Sequence, residues 1–136
     1  MKLLVLDTNI VLDMFVFNDA GAAPLTCGLA AGNFQWIATQ PMRDELARVL
    51  DYPHIAGKRA FYKIAAAQVL AQFDQLARLV PTAFKAAVTC KDPDDQKFID
   101  LAVEHQAMLL SKDKAVLCMA KRLLALDVLV TAQMQE

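Results

Sequence analysis

Five short apolar runs, set between stretches of helical composition, most narrow the folds open to this 136-residue chain. They are residues 3–6 (LLVL), 34–38 (FQWIA), 77–80 (ARLV), 107–110 (AMLL) and 128–130 (VLV). A continuous apolar run of this length suits a strand buried on both faces of a parallel sheet, and parallel neighbours need a long, usually helical, crossover between them. The alternation therefore predicts an α/β fold: βαβ units with right-handed crossovers, stacked as a three-layer α/β/α sandwich on a mainly parallel sheet of about five strands.

With 57% hydrophobic residues and no low-complexity segment, the chain reads as one domain over residues 1–136. That length suffices to bury roughly two thirds of the unfolded surface without disulfide or structural metal. Pro41 opens a helix over about 41–51, Pro53 and Gly57 mark a loop over 51–58, and a further helix follows over about 58–74. Fourteen basic and fifteen acidic residues leave a net charge of −1, which decides nothing about a nucleic-acid partner, because local patches matter more than totals. Cys27, Cys90 and Cys118 are odd in number and lack metal-ligand spacing, so they are expected as reduced, buried thiols in a cytoplasmic protein. The first apolar run ends after four residues at Asp7, too short for a signal peptide or a membrane span.

Four acids stand out by position: Asp7 in LVLDTN, Glu45 in MRDELARVL, Asp95 in KDPDDQKF and Asp113 in LLSKDKAVL. Asp7 and Asp113 follow apolar runs, at the carboxyl ends of two strands, where open α/β sheets bind ligands. Thr8 and Asn9 are expected to cap a helix over 10–15, and Ser111 to steady the Asp113 loop. On the helix after Pro41, the stripe Met42, Leu46, Val49 and Leu50 puts Glu45 at its margin and Asp44 on the opposite side. Asp92 and Pro93 read as N-cap and first residue of a later helix, on which Asp95 lies above Phe98, Ile99 and Ala102. Asp100 and Glu104 fall on its other side and read as solvated charge. Carboxylates brought together by a fold repel one another unless cations neutralise them, so this set points to a hard divalent metal. His54 in the expected loop and His105 near a helix end show no ligand spacing.

The order of LVLDTNIVLD, ELARVL, CKDPDDQKFIDLAVEHQAMLLSKDKAVL and a final short apolar strand resembles the PIN domain. Within it the resemblance is specifically to PIN-domain toxins of toxin–antitoxin systems, and it covers nearly the whole chain. It implies a Mg²⁺- or Mn²⁺-dependent ribonuclease that cuts single-stranded RNA. Asp7, Glu45, Asp95 and Asp113 would be its catalytic acids and metal ligands, with Glu45 a ligand or a base for the attacking water. Asn9, Ser111 and Asp92 would support them. Relatives usually carry a glycine before the last aspartate and a further acid after it, where this chain has Lys112 and Ala115, so one full metal position is expected rather than two.

Arg43, Lys91, Lys97, Lys112 and Lys114 lie within a few residues of the acids and are candidates for RNA phosphates. Phe15, Phe17 and Tyr52 are candidates for base stacking, whereas Trp36 and Phe98 read as core. The resemblance also implies a small antitoxin protein as partner, a homodimer, and no membrane. Two other readings fit parts of the sequence. A haloacid-dehalogenase-type phosphatase needs a second aspartate two residues after the first, where this chain has Asn9. A PIN-like interaction module with weakened activity is the other, prompted by Lys112 and Ala115.

Overall fold

The computed structural model describes residues 2–134, and in it β1 (Lys2–Leu6) leads through α1 (Thr8–Phe15), a 3-10 turn (Ala20–Ala22) and α2 (Ala23–Ala30) to β2 (Phe34–Ala38). Three helices follow, α3 (Gln40–Val49), α4 (Pro53–Tyr62) and α5 (Ala66–Leu76), before β3 (Ala77–Leu79). A long irregular segment then reaches a 3-10 turn (Pro93–Asp95), α6 (Gln96–His105) and β4 (Met108–Leu110). The remainder is α7 (Lys114–Leu117), α8 (Ala120–Leu124) and β5 (Val130–Thr131).

The five strands form one parallel sheet in the order β3-β2-β1-β4-β5. Leu4 of β1 is in register with Trp36 on one side and Met108 on the other. The chain steps outward from β1 to β2 to β3, then crosses back to lay β4 on the other side of β1. Right-handed crossovers in those two directions put α1 to α5 on one face and α6 to α8 on the other, giving the three-layer α/β/α sandwich. The reversal falls between β1 and β4, so a crevice opens at their carboxyl ends.

Packing explains the apolar runs. Leu4, Val5, Leu109 and Leu110 in the two central strands are buried because helices cover both faces. Trp36 of β2 stacks edge-on against Phe73 of α5, with centroids 5.0 Å apart, and tilts toward Phe15 of α1. Phe15 is therefore core rather than a base-stacking platform; Phe17 is half-buried and Tyr52 exposed. Among the described residues, no single helix is long and apolar enough to cross a membrane.

Residues 51–58 are not the expected loop. Pro53 starts α4 instead of breaking a helix, which its fixed φ and missing N–H permit in a first turn. Gly57 sits in α4 on an exposed face, at a cost of about 1 kcal/mol relative to alanine. The break comes later, at Lys63, whose φ of 59° is left-handed. The Arg59 guanidinium donates to the carbonyls of Leu50 and Ile64, so one side chain satisfies backbone groups beyond the ends of both α3 and α4. His54 accordingly lies in α4. The last strand is also displaced, from 128–130 to Val130–Thr131, because Val128 still bonds back to Leu123 and is buried. Of the cysteines only Cys90 is buried; Cys27 and Cys118 are exposed thiols.

Removing the ring that faces Trp36 tests this packing. Phe73→Ala should lower unfolding stability by about 3–5 kcal/mol in urea titrations and shift the emission of the lone tryptophan to the red. Asp74→Asn, which breaks an exposed pair with Arg43, should cost no more than about 1 kcal/mol.

Candidate metal centre

Asp7 extends β1 by one residue, and its backbone N–H bonds to the Leu110 carbonyl at 2.9 Å, joining the ends of the two central strands. Ser111, directly after β4 and fully buried, donates through its hydroxyl to Asp7 Oδ2 at 2.6 Å. The same hydroxyl accepts from the Asp113 backbone N–H at 3.0 Å, so one serine orients both aspartates. Asp113 occupies the N-cap of α7, its Oδ1 accepting from the Ala115 N–H.

The third acid arrives from the turn that leads into α6. Asp92 caps the 3-10 turn at Pro93–Asp95, accepting from the Asp94 N–H at 3.0 Å. That turn leaves Asp94 exposed and points Asp95 inward, above the buried Phe98, Ile99 and Ala102. Asp95 is only 7% exposed, and its Oδ2 is buried without a hydrogen-bond partner. Oxygen atoms of Asp7, Asp95 and Asp113 all lie within 4.8 Å of one another.

Glu45 lies outside that group. It is half-buried at the margin of α3, as its phase requires, while Asp44 is exposed and accepts from Gln40. The Glu45 carboxylate accepts from the Thr8 hydroxyl through Oε2 and pairs with Lys97 Nζ at 2.6 Å through Oε1. Thr8 is thus inside α1, not its cap; Asp7 holds the N-cap position, and the threonine hydroxyl serves Glu45. Asn9 Oδ1 accepts from the Lys112 backbone N–H at a long 3.4 Å.

Three of the five candidate RNA-binding cations are engaged by acids. Lys97 holds Glu45, Lys112 pairs with Asp13 at 2.6 Å, and Arg43 forms a two-pronged contact with Asp74 at 2.7 and 2.8 Å. Lys91 and Lys114 are exposed. Asp13, buried near the end of α1, is not among the residues singled out above, although a charge interrupting the apolar run IVLDMFVF signals an inward acid with a partner. Nor is Thr39, buried after β2 with its hydroxyl unpartnered. Asp100, read as solvated, instead accepts from the Ala86 N–H and from Gln96, pinning the segment before Asp92 to α6.

Electrostatics distinguish the inner acids. Burial pushes the Asp95 carboxyl up to about 8, with the charge of Asp7 and the proximity of Asp113 adding to it. Burial also raises Asp7, against the Ser111 hydrogen bond that favours its charged form. Both shifts mean that ionising these acids is costly where nothing offsets the charge. Magnesium and manganese take oxygen ligands at about 2.1 Å, so opposed ligand oxygens stand roughly 4.2 Å apart, and carboxylates already within 4.8 Å close on such an ion with small side-chain rotations. An all-oxygen donor set with one orphaned oxygen fits that kind of cation.

A carboxyl whose folded-state pKa exceeds its unfolded value contributes stability that is whole below the unfolded value of 3.8 and is lost as pH rises through about 8. Melting curves in EDTA should show this protein losing stability across that window. Asp95→Asn should lose less over the same range and be the more stable of the two at its alkaline end; equal pH slopes for both proteins would contradict the assignment.

Comparison with known proteins agrees with the topology. A family model described as PIN domain matches residues 3–115, which run from β1 through Asp113. No curated protein matches the chain. On that match, covering most of its length, the chain belongs to the PIN-domain family, a nuclease fold.

Proposed function

We propose that this protein is an endoribonuclease that uses Mg²⁺ or Mn²⁺ to cut single-stranded RNA, and that it is the toxin of a toxin–antitoxin pair. The observation that carries the reading is the trio Asp7, Asp95 and Asp113, the first two buried and the third partly so, with the unpartnered Asp95 Oδ2 at the strand reversal. These three residues would hold the ion. A bound divalent cation supplies Lewis-acid polarisation of the phosphodiester and makes water a better nucleophile. Ser111 fixes the orientation of Asp7 and the Asp113 loop at once, and Asp92 fixes the turn that aims Asp95. Glu45, held by Thr8 and Lys97, keeps lone pairs with which to orient water. Attack of water on phosphorus breaks the bond to one flanking nucleotide, so no side-chain nucleophile is needed.

Lys91 and Lys114 are exposed beside Asp92 and Asp113 and are suited to phosphates of a strand crossing the cleft. The unpaired cysteines suit a reducing cytoplasm. A neighbouring antitoxin that inserts a basic residue among the acids, and a homodimer, belong to the same reading.

Purified protein should cleave single-stranded RNA with Mg²⁺ or Mn²⁺ and stop in EDTA. Ser111→Ala should lose about 10–100-fold in activity or metal affinity, as changes in residues that orient ligands do, and Asp7→Asn should lose more while remaining folded. Undiminished cleavage in EDTA would overturn the mechanism, and absence of divalent binding in calorimetry would favour a PIN-like interaction module.

Expression of this chain alone should arrest growth, and co-expression of the adjacent small reading frame should relieve the arrest. Harmless expression of a protein that is active in vitro would instead indicate a housekeeping ribonuclease.

A further inference from the structure

The geometry points to Lys97 as a built-in substitute for a second metal ion: its ammonium neutralises Glu45 and limits the acidic cleft to one divalent cation. The inference rests on the metal-nuclease reading above and concerns how many ions that site accepts. Glu45 is the acid best placed to enlarge the site, since it is bonded to Thr8, next to Asp7, and to Lys97, two residues after Asp95. Yet each of its oxygens already accepts a hydrogen bond, Oε2 from the Thr8 hydroxyl and Oε1 from Lys97 Nζ at 2.6 Å.

Lys97 is held in that position from three sides. It belongs to the first turn of α6, two residues after Asp95. Its ammonium also donates to the Asp94 carbonyl, inside the turn that delivers Asp95, and it lies 4.9 Å from the centroid of the Phe98 ring. The Lys97 and Glu45 side chains are 24% and 17% exposed, so solvent screens this pair less than a surface pair. A cation approaching Glu45 must displace a tethered ammonium.

Charge balance favours the same count. Asp7, Asp95 and Asp113 carry three negative charges when ionised. One divalent ion offsets most of that, whereas two would leave the trio with excess positive charge unless Glu45 joined them. Lys112 performs a parallel task on the other flank by neutralising the buried Asp13. On the remaining side, position 115 is alanine, and its backbone N–H occupies Asp113 Oδ1.

The test is the stoichiometry of Mn²⁺ binding by titration calorimetry, with electron paramagnetic resonance of the loaded protein. The wild-type chain should bind one ion and show an isolated manganese signal. Lys97→Met should raise the count to two, with the exchange-coupled signal of a manganese pair. Lys97→Gln, which retains a donor for the Asp94 carbonyl, should do the same and guards against misfolding of the methionine variant. Lys97→Arg, and the double variant Glu45→Gln with Lys97→Met, should each return the count to one. Two ions in the wild type, or one ion in both folded neutral variants, would overturn the role given to Lys97. No Mn²⁺ binding by the wild type would overturn the metal-nuclease reading beneath it, a distinct failure.

Discussion

Like charges held close together and away from water are the constraint to which the rest of this structure answers. Carboxylates within 4.8 Å of one another repel strongly once burial removes the dielectric of water, and loops left to themselves would let them separate. Here the backbone forbids it. Asp7 and Ser111 continue two adjacent strands whose ends are bonded directly, and the strands are pinned between helical layers by fully buried leucines and valines. Asp95 is brought in by a capped turn whose next residues are core. Repulsion is thus sustained by packing far larger in total than the few groups that repel, and it persists where a cation relieves it.

Several other acids have partners of their own. Glu45 has Lys97, Asp13 has Lys112, Asp74 has Arg43, and Asp100 accepts from a main-chain amide and a glutamine. A buried acid with a partner is explained by the fold; one without a partner requires something from outside. This sorting, more than the number of acids, separates Asp95 from Asp13, two aspartates of the same low exposure. Partnered and unpartnered buried acids thus occur in one fold, and hydrogen-bond accounting tells them apart.

Much of this was legible in the sequence wherever one local rule sufficed. The first two strands read correctly because both faces are buried, so apolar continuity and strand coincide. Asp95 and Glu45 could be told from Asp94 and Asp44 because helix phase alone decides which way a side chain points. What was not legible depended on residues distant in the chain. Pro53 and Gly57 have the composition of a loop, yet α4 forms there, with Arg59 reaching back to the end of α3. β5 begins at Val130 because its register is set by pairing with Leu109, not by its own apolar run. Lys97 looked like a cation for RNA because chain proximity to Asp95 is visible, whereas its partner Glu45 is 52 residues away.

The segment after residue 115 shows how the site depends on parts of the chain that carry none of its acids. The family match ends at Ala115, yet Val116, Met119, Leu123 and Val128 beyond it are all buried. They seat α7, α8 and β5 against the outer side of β4, where the N–H groups of Leu109 and Ser111 bond to the carbonyls of Leu129 and Thr131. Ser111 is therefore fixed through its backbone by β5 on one side and through its hydroxyl to Asp7 on the other. A strand of two residues contributes little pairing of its own, but it removes the freedom of β4 to twist away from β1. If that freedom returned, Ser111 would move, and with it the one hydroxyl that aligns Asp7 and Asp113. The precision of the acidic centre is thus set partly by apolar side chains that never approach it.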